Sequence, residues 1–546
     1  MREFDYIVVG AGSAGCVVAC RLIQAGHSVL LLEAGAKDNH PFIHIPATFF
    51  KVHGTHRTWK YETVDQSHVN GRRMYIPQGR TLGGGSSVNG MIYIRGQAQD
   101  YDDWETAGCT DWGWRDVLPA FKRSEANRRL SGPLHGNDGP LIVSDNSHCH
   151  PLSKAFVDSA VAYGLPLTED FNGPSQAGAG YYQTTTFDGR RGSSAATYLK
   201  AVLHNPKLEV VTHALVERLI IESGKAVGVQ VSVNEQPCVD FRARHEIVLT
   251  AGAVATPKVL MLSGIGPADQ LAKHGIAVKV DAPEVGENFQ DHLTSSVYGR
   301  TRDPVSLLGQ DRGVSALSHG LQYVTSRKGL LSSNVIESGA FFDSTGEGGR
   351  PDIQIHMTPT LVGDVDRPPP EGHGISINPC AVRPKSRGTA RLRSNNPRDQ
   401  ILLDAGFLTH PDDLATMIRG VRISLEILRS GPLADLIESP ILLPNRREYS
   451  DEELSNHIRR VCKTVFHPSG TCRMGSDSSS VVDTHLKVRG VEGLRIADAS
   501  IMPSLISGNT NAPCIMIGER CAEFILSANS QPTDGSAVKR AVSQVH

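Results

Sequence analysis

At 546 residues the chain is too long for one ordinary hydrophobic core, so two domains are expected. Charged residues make up 21% and nearly cancel, leaving a formal net charge of −2, which argues against nucleic acid or an anionic membrane surface as the main partner. No apolar run reaches the roughly 18 residues of a membrane span, so no integral membrane segment is expected.

Residues 4–9 are apolar and β-branched and read as a buried strand. The turn Gly10-Ala-Gly-Ser-Ala-Gly15 follows, then an amphipathic helix over 16–25 and a second apolar strand over 28–32 that closes on Glu33. Gly10 permits the tight turn, Gly12 lets backbone approach a pyrophosphate, and Gly15 lets helix and strand pack closely. The free N–H groups at the helix start would face the phosphates. Glu33 lies 18 residues beyond Gly15, near the spacing of an acid that binds a ribose hydroxyl. An acid there favours FAD or NAD over NADP. The start of the chain enters this first strand at once and carries no signal-peptide pattern, so a cytoplasmic protein is the default.

Residues around His40, Pro41, His44, Pro46 and His53 lack periodicity and read as a long loop. Residues 77–90, PQGRTLGGGSSVNG, offer glycines that let backbone approach a ligand and a run of N–H groups suited to an anion. A helix is expected over 100–126, with Trp104, Trp112, Trp114 and Phe121 as packing residues, and another over 153–163. His148-Cys149-His150 lacks a fourth ligand and is followed by Pro151, so it reads as a solvated loop and no metal site is expected. The ten cysteines form no CxxC pair, and Cys16 and Cys20 read as small buried residues.

Alternation over 208–211, 216–221 and 226–231 predicts a strand meander. Residues 246–252 form another strand, and a helix over 258–262 would start just after Pro257. Between 301 and 445, short strands such as 353–357 alternate with Pro/Gly turns, with an amphipathic helix over 412–428. This is the expected second domain. A strand over 494–498 ends in Asp498, a helix follows over 513–526, and the polar residues 527–546 read as a frayed tail. Flanking that strand, the loops VFHPSGTCRMG (465–475) and SGNTNAP (507–513) carry His467 and Asn509. A loop histidine near a nucleotide site is a natural general base.

These stretches together resemble the glucose–methanol–choline (GMC) oxidoreductases over nearly the whole chain. GRTLGGGSSVNG (79–90) and GAVATPKVLMLSGIG (252–266) are similar to the family's two signatures, and VGENFQDH (285–292) and the His467 loop to two further stretches. Within the family the chain most resembles bacterial choline and alcohol dehydrogenases and hydroxymethylfurfural-type alcohol oxidases.

The resemblance implies an α/β, two-domain (α+β) fold. A Rossmann-like FAD-binding domain (1–150, 192–300, 455–530) would be interleaved with a substrate domain built on an antiparallel sheet with helices (151–191, 301–454), leaving 531–546 as a flexible tail. It implies FAD rather than NAD, held by Gly10, Gly12, Ser13, Ala14, Gly15, Glu33, Ala34, Arg80, Gly84, Ser86, Asn89, Gly90, Met91, Val216, Asp498, Ala499 and Asn511. His467 and Asn509 would be the catalytic pair, with Asn511 close enough for a loop shift to exchange the two asparagines' roles. Some members tether FAD through a histidine at the position of Val88, which cannot form that link, so FAD is expected to be non-covalent.

The implied reaction oxidises a primary alcohol to an aldehyde, its hydroxyl proton going to His467 Nε2 and hydride to flavin N5. The acceptor of the reduced flavin is oxygen or a quinone. A dehydrogenase is favoured slightly over an oxidase, which would leave room for a peripheral place at the inner membrane. A cyanohydrin lyase of the same fold and a non-enzymatic nucleotide-binding module are the competing readings.

Overall fold

The computed structural model describes residues 2–364, 367–440 and 448–530, and two sheets organise it. The first runs in the order Leu208–Val211, Val29–Leu32, Arg2–Val9, Val239–Leu249, Lys225–Val233, Ala214–Glu222, with Leu494–Ile496 joined to Val239–Leu249. Its Arg2–Val9 strand is paired on both sides and parallel to both neighbours, which is why residues 6–9 are buried and uniformly apolar. The helix Ser13–Gln24 crosses back over this sheet and packs against the C-terminal helix Asn511–Ser530.

The second sheet is antiparallel along its main path, in the order Ile437–Pro440, Val297–Thr301, Gly374–Ala381, Ile353–Thr358, Ser338–Phe342, Gly178–Tyr181. A short pair, Leu293–Thr294 with Lys463–Thr464, is attached to the Gly374–Ala381 strand. That attachment brings His292 beside the loop that carries His467, across 175 residues of sequence. The fold is thus mixed α/β, as expected.

Several local expectations are corrected. Residues 40–53 are not one loop: the prolines open two short helical turns, Pro41–His44 and Pro46–Lys51. The helix expected over 100–126 is two, Ala98–Thr106 and Trp114–Ser124, separated by Gly108, at positive φ, and Gly113; a strand, Glu125–Asn127, follows. Strand Leu208–Val211 is not in the meander. It pairs parallel with Val29–Leu32 at the sheet edge, and the meander is completed by Val239–Leu249 instead.

The helix expected to begin after Pro257 already starts at Gly252, so Pro257 lies inside it. Proline has no N–H for the carbonyl four residues back, and that carbonyl, of Ala253, accepts the Thr471 hydroxyl at 2.6 Å. The hydrogen bond lost to proline is replaced by one that ties the His467 loop to this helix. The C-terminal helix extends through Ser530, so 527–530 are not frayed, while the rest of the expected tail lies outside the described residues.

Candidate active site

One cavity of about 1150 Å³ runs from the first glycine turn to the His467 loop. Single small-molecule pockets span about 300–1,000 Å³, so this one has room for a dinucleotide and a substrate together. Of the predicted site residues, Gly10, Gly12, Ser13, Ala14, Glu33, Ala34, Gly84, Asn89, Gly90, Met91, Val216, Asp498, Ala499, Asn511, His467 and Asn509 line it.

Gly15, Arg80 and Ser86 do not line it; they shape it from behind. A Cβ at Gly15 would lie 2.0 Å from Gly10 O. Ser86 Oγ donates to Gly83 O at 2.6 Å and bonds Ser194. The Arg80 guanidinium covers the Trp59 ring at 4.5 Å.

The end near Glu33 is made largely of backbone. No side chain caps the helix Ser13–Gln24, so its first-turn N–H groups stand ready for an anion. Gly84 packs so closely that a Cβ there would sit 2.7 Å from Gly12 Cα. Glu33 accepts from Ala11 N (3.1 Å) and Gly35 N (2.8 Å), and burial pushes its carboxyl up to about 7.

Arg191 was missed from sequence. It is buried, donates to Ser86 O (3.0 Å) and Asn89 Oδ1 (2.7 Å), and burial lowers it to about 9. Its Nη2, like Arg80 Nε, is a buried donor without a protein partner among the described residues. A glycine cradle and an uncapped helix start, with the buried Arg191 and the half-buried Arg80 behind the wall, fit a bound dinucleotide diphosphate.

Side chains make the opposite end. Asp291 Oδ1 accepts the backbone N–H of both His292 and His467 at 2.8 Å, while Oδ2 takes the Thr464 hydroxyl. Phe466 is held at φ +69°, a strained conformation for a bulky residue, and its N–H is bound by Thr464 Oγ1 at 2.9 Å.

The two imidazoles meet edge to face, Nδ1 to Nδ1, at 2.9 Å. His292 Nε2 lies 3.0 Å from Val382 O, a carbonyl that can only accept. His292 therefore carries its proton on Nε2 and offers a lone pair at Nδ1. His467 must then hold its proton on Nδ1, which leaves Nε2 bare toward the cavity. Burial first, then the neighbouring His292 and His356, hold His467 well below the ordinary histidine range, so it is neutral at pH 7.

Asn509 Oδ1 accepts from Gln354 Nε2 at 3.0 Å, so its Nδ2 is the group turned to His467 Nε2, 3.4 Å away. Asn511 is placed elsewhere: its Oδ1 accepts from Ser13 Oγ at 2.9 Å. Asp498, expected to touch cofactor, spends Oδ2 on Gly252 N (2.9 Å) and Thr256 Oγ1 (2.6 Å), capping the helix that holds Pro257. His292, Gln354 and His356 were missed as site residues. VGENFQDH pointed to the segment, but nothing local shows that its histidine meets residue 467.

The sequence matches the GMC oxidoreductase family profile over residues 4–294 and 384–518. It is 44% identical over 531 residues to an alcohol dehydrogenase [acceptor] of Pseudomonas putida, covering 96% of each chain. It is 38% identical over 528 residues to an oxygen-dependent choline dehydrogenase of Brucella anthropi, again covering 96% of each. Among solved structures, pyridoxine 4-oxidase from Mesorbium loti superposes with a TM-score of 0.87 at 31% identity, covering 95% of this chain and 98% of that one. A formate oxidase gives 0.90 at 28% identity, with 96% and 98% covered.

Proposed function

The chain belongs to the GMC oxidoreductases, and from that premise we propose that it oxidises a primary alcohol to the aldehyde, with FAD held along the cavity and His467 as the base. One observation carries the assignment of the base: the His292–His467 contact leaves an unprotonated, neutral Nε2 facing a cavity continuous with the glycine cradle. The alcohol hydroxyl donates its proton to that nitrogen. Asn509 Nδ2, anchored through Gln354, stands beside the same nitrogen and orients the substrate oxygen. FAD, when bound, supplies the acceptor for the hydride that leaves the α-carbon. As the alcohol forms an alkoxide, His467 becomes cationic, and His292, able to accept at Nδ1, steadies the N–H that faces it.

The cofactor end follows the same reading. Gly10, Gly12, Ser13, Ala14, Glu33 and Ala34 hold the ADP half, with Val216 beside the adenine. Gly84, Asn89, Gly90, Met91, Ala499 and Asn511 flank the rest. Asp498 lines the cavity beside these, while Ser86, Arg80 and Arg191 support its wall from behind. Val88 has no nucleophile to offer FAD, so binding is non-covalent: acid precipitation should release the flavin into the supernatant.

For the electron acceptor we favour a compound other than oxygen, following the 44% identical relative named as a dehydrogenase with an unspecified acceptor, against the 38% identical relative named as oxygen-dependent. Release of one peroxide per alcohol consumed in air would reverse this preference. We also propose the reducing cytoplasm as its compartment, where its ten thiols would stay free; no described helix is long and apolar enough to cross a membrane.

The test of the whole reading is anaerobic. Mixing the holoenzyme with a panel of primary alcohols should bleach the flavin. A flavin that stays oxidised with every alcohol would sink it.

A further inference from the structure

The helix Gly313–Ser326 lies against the cavity with its faces reversed. Ala316 and His319 line the cavity, and Tyr323, its buried residue, donates its hydroxyl to Gly189 O at 2.8 Å. Val314, Leu317, Leu321 and Val324 recur three or four residues apart and so share one face. That face is turned outward: the four are 83%, 74%, 67% and 72% exposed. A surface helix ordinarily buries such a stripe, and a contiguous apolar patch marks an interaction surface rather than scatter.

The patch sits where the cavity opens. Leu308 and Phe50 both line the cavity and are 41% and 53% exposed. From Phe50 a run of rings leads inward: Phe49 (6.1 Å), His53 (6.0 Å) and Phe466 (5.9 Å), the neighbour of the base.

Local charge differs from the chain average. Residues 302–328 contain Arg302, Arg312, Arg327 and Lys328 against Asp303 and Asp311, a net of +2 where the whole chain is −2. Arg312 and Arg327 flank the helix at its two caps. Lys51 lies over the rings of Phe42 and Phe50, at 5.5 and 6.0 Å. The helix itself carries no Lys or Arg; its cations sit at the two caps and on the neighbouring Lys51, around outward aliphatics, an arrangement suited to the plane of an anionic bilayer. A second copy fits less well, since a stable dimer buries about 800 Å² per partner, well beyond four side chains of one short helix.

We propose that Gly313–Ser326 is an interfacial helix that seats the cavity mouth on an anionic lipid surface, so that an apolar primary alcohol enters from the lipid. The substrate half of this inference rests on the alcohol-oxidising reading above; the lipid half does not.

Flotation separates them. The holoenzyme and a Leu317→Glu/Leu321→Glu variant are each mixed with vesicles of phosphatidylethanolamine and phosphatidylglycerol, or of phosphatidylcholine alone. The holoenzyme should float with the anionic vesicles, and the variant should lose about tenfold or more of its bound fraction. Flavin content, melting temperature and flavin reduction by a short soluble alcohol should be unchanged. A long-chain alcohol dissolved in the vesicles should reduce the holoenzyme faster than the variant. A holoenzyme that stays down, or a variant that floats equally well, overturns the proposal. So does a holoenzyme that light scattering finds dimeric and the variant monomeric, which assigns the face to a second copy. Intact flotation with no reduction by any alcohol would support the lipid seat while removing the alcohol reading.

Discussion

At the end of the cavity lined by Gly10, Gly12 and Glu33, one stretch of about 25 residues presents mostly backbone. At the other end, side chains from positions 292, 354, 356, 467 and 509 converge on one nitrogen or its neighbours. The contrast shows two ways to make a site. Backbone donors come with any sequence that can bend as required, so the glycines specify that end. A base with a defined tautomer needs particular imidazoles and amides, so side chains from distant segments specify the other.

The comparison implies that the two ends should fail differently, and the largest effect is expected at the proposed base. His467→Ala should lower the anaerobic flavin-reduction rate by about 10²–10⁴-fold while flavin content stays at the parent level. An unchanged rate would remove His467 from the chemistry.

At the backbone end, Gly84→Ala combines φ +51° with a Cβ placed 2.7 Å from Gly12 Cα. It should cost roughly 1–3 kcal/mol from strain and crowding, with flavin lost before chemistry can be read. Melting temperature and the flavin-to-protein ratio check this; a variant that keeps both would show that the close approach is dispensable.

His292→Asn should cost about 10–100-fold in reduction rate, by analogy with residues that orient metal-bound histidines, and leave flavin content intact. It should also shift the pH profile, which a purely structural role would not do. Asn509→Ala should cost less than His467→Ala, because the base remains.

The pH predictions are smaller. With its pKa well below the usual value, His467 stays in the base form through pH 6.5 and above, so the reduction rate should be level from pH 8 to 6.5 and fall only at lower pH. A midpoint at or above 6.5 would contradict the buried, neutral imidazole. Burial raises Asp291 from 3.8 to about 7. In that window the native state holds a proton that the unfolded chain has released, so this group's contribution to stability falls as pH rises and is level above. Asp291→Asn should therefore gain melting temperature relative to the parent between pH 4 and 7, and no further beyond.

The strand–turn–helix–strand over residues 2–32 was legible because its strands over 6–9 and 29–32 are buried and apolar and its glycine spacing is written in consecutive residues. The second, antiparallel sheet was legible only as a region, since its strands are short and pair across long insertions. Pro257 shows why local rules misplaced a helix start: the carbonyl a proline frees inside a helix can be taken by a distant partner, here Thr471 from more than 200 residues away. The inverted helix Gly313–Ser326 was unreadable for a related reason. Its period is helical, but which side meets the body depends on a tyrosine–carbonyl contact to Gly189.

Taken alone, the sequence determined the glycine turn and the family and singled out His467 as the candidate base, because each is written in consecutive residues whose backbone geometry is local. Only tertiary structure decided which nitrogen of that histidine is bare, that Asp291 fixes its backbone and His292 its tautomer, and that Asn509 rather than Asn511 stands beside it. Those outcomes depend on hydrogen bonds a few ångströms long between segments far apart in the chain, and a proton's position on an imidazole is set by the partner it meets there.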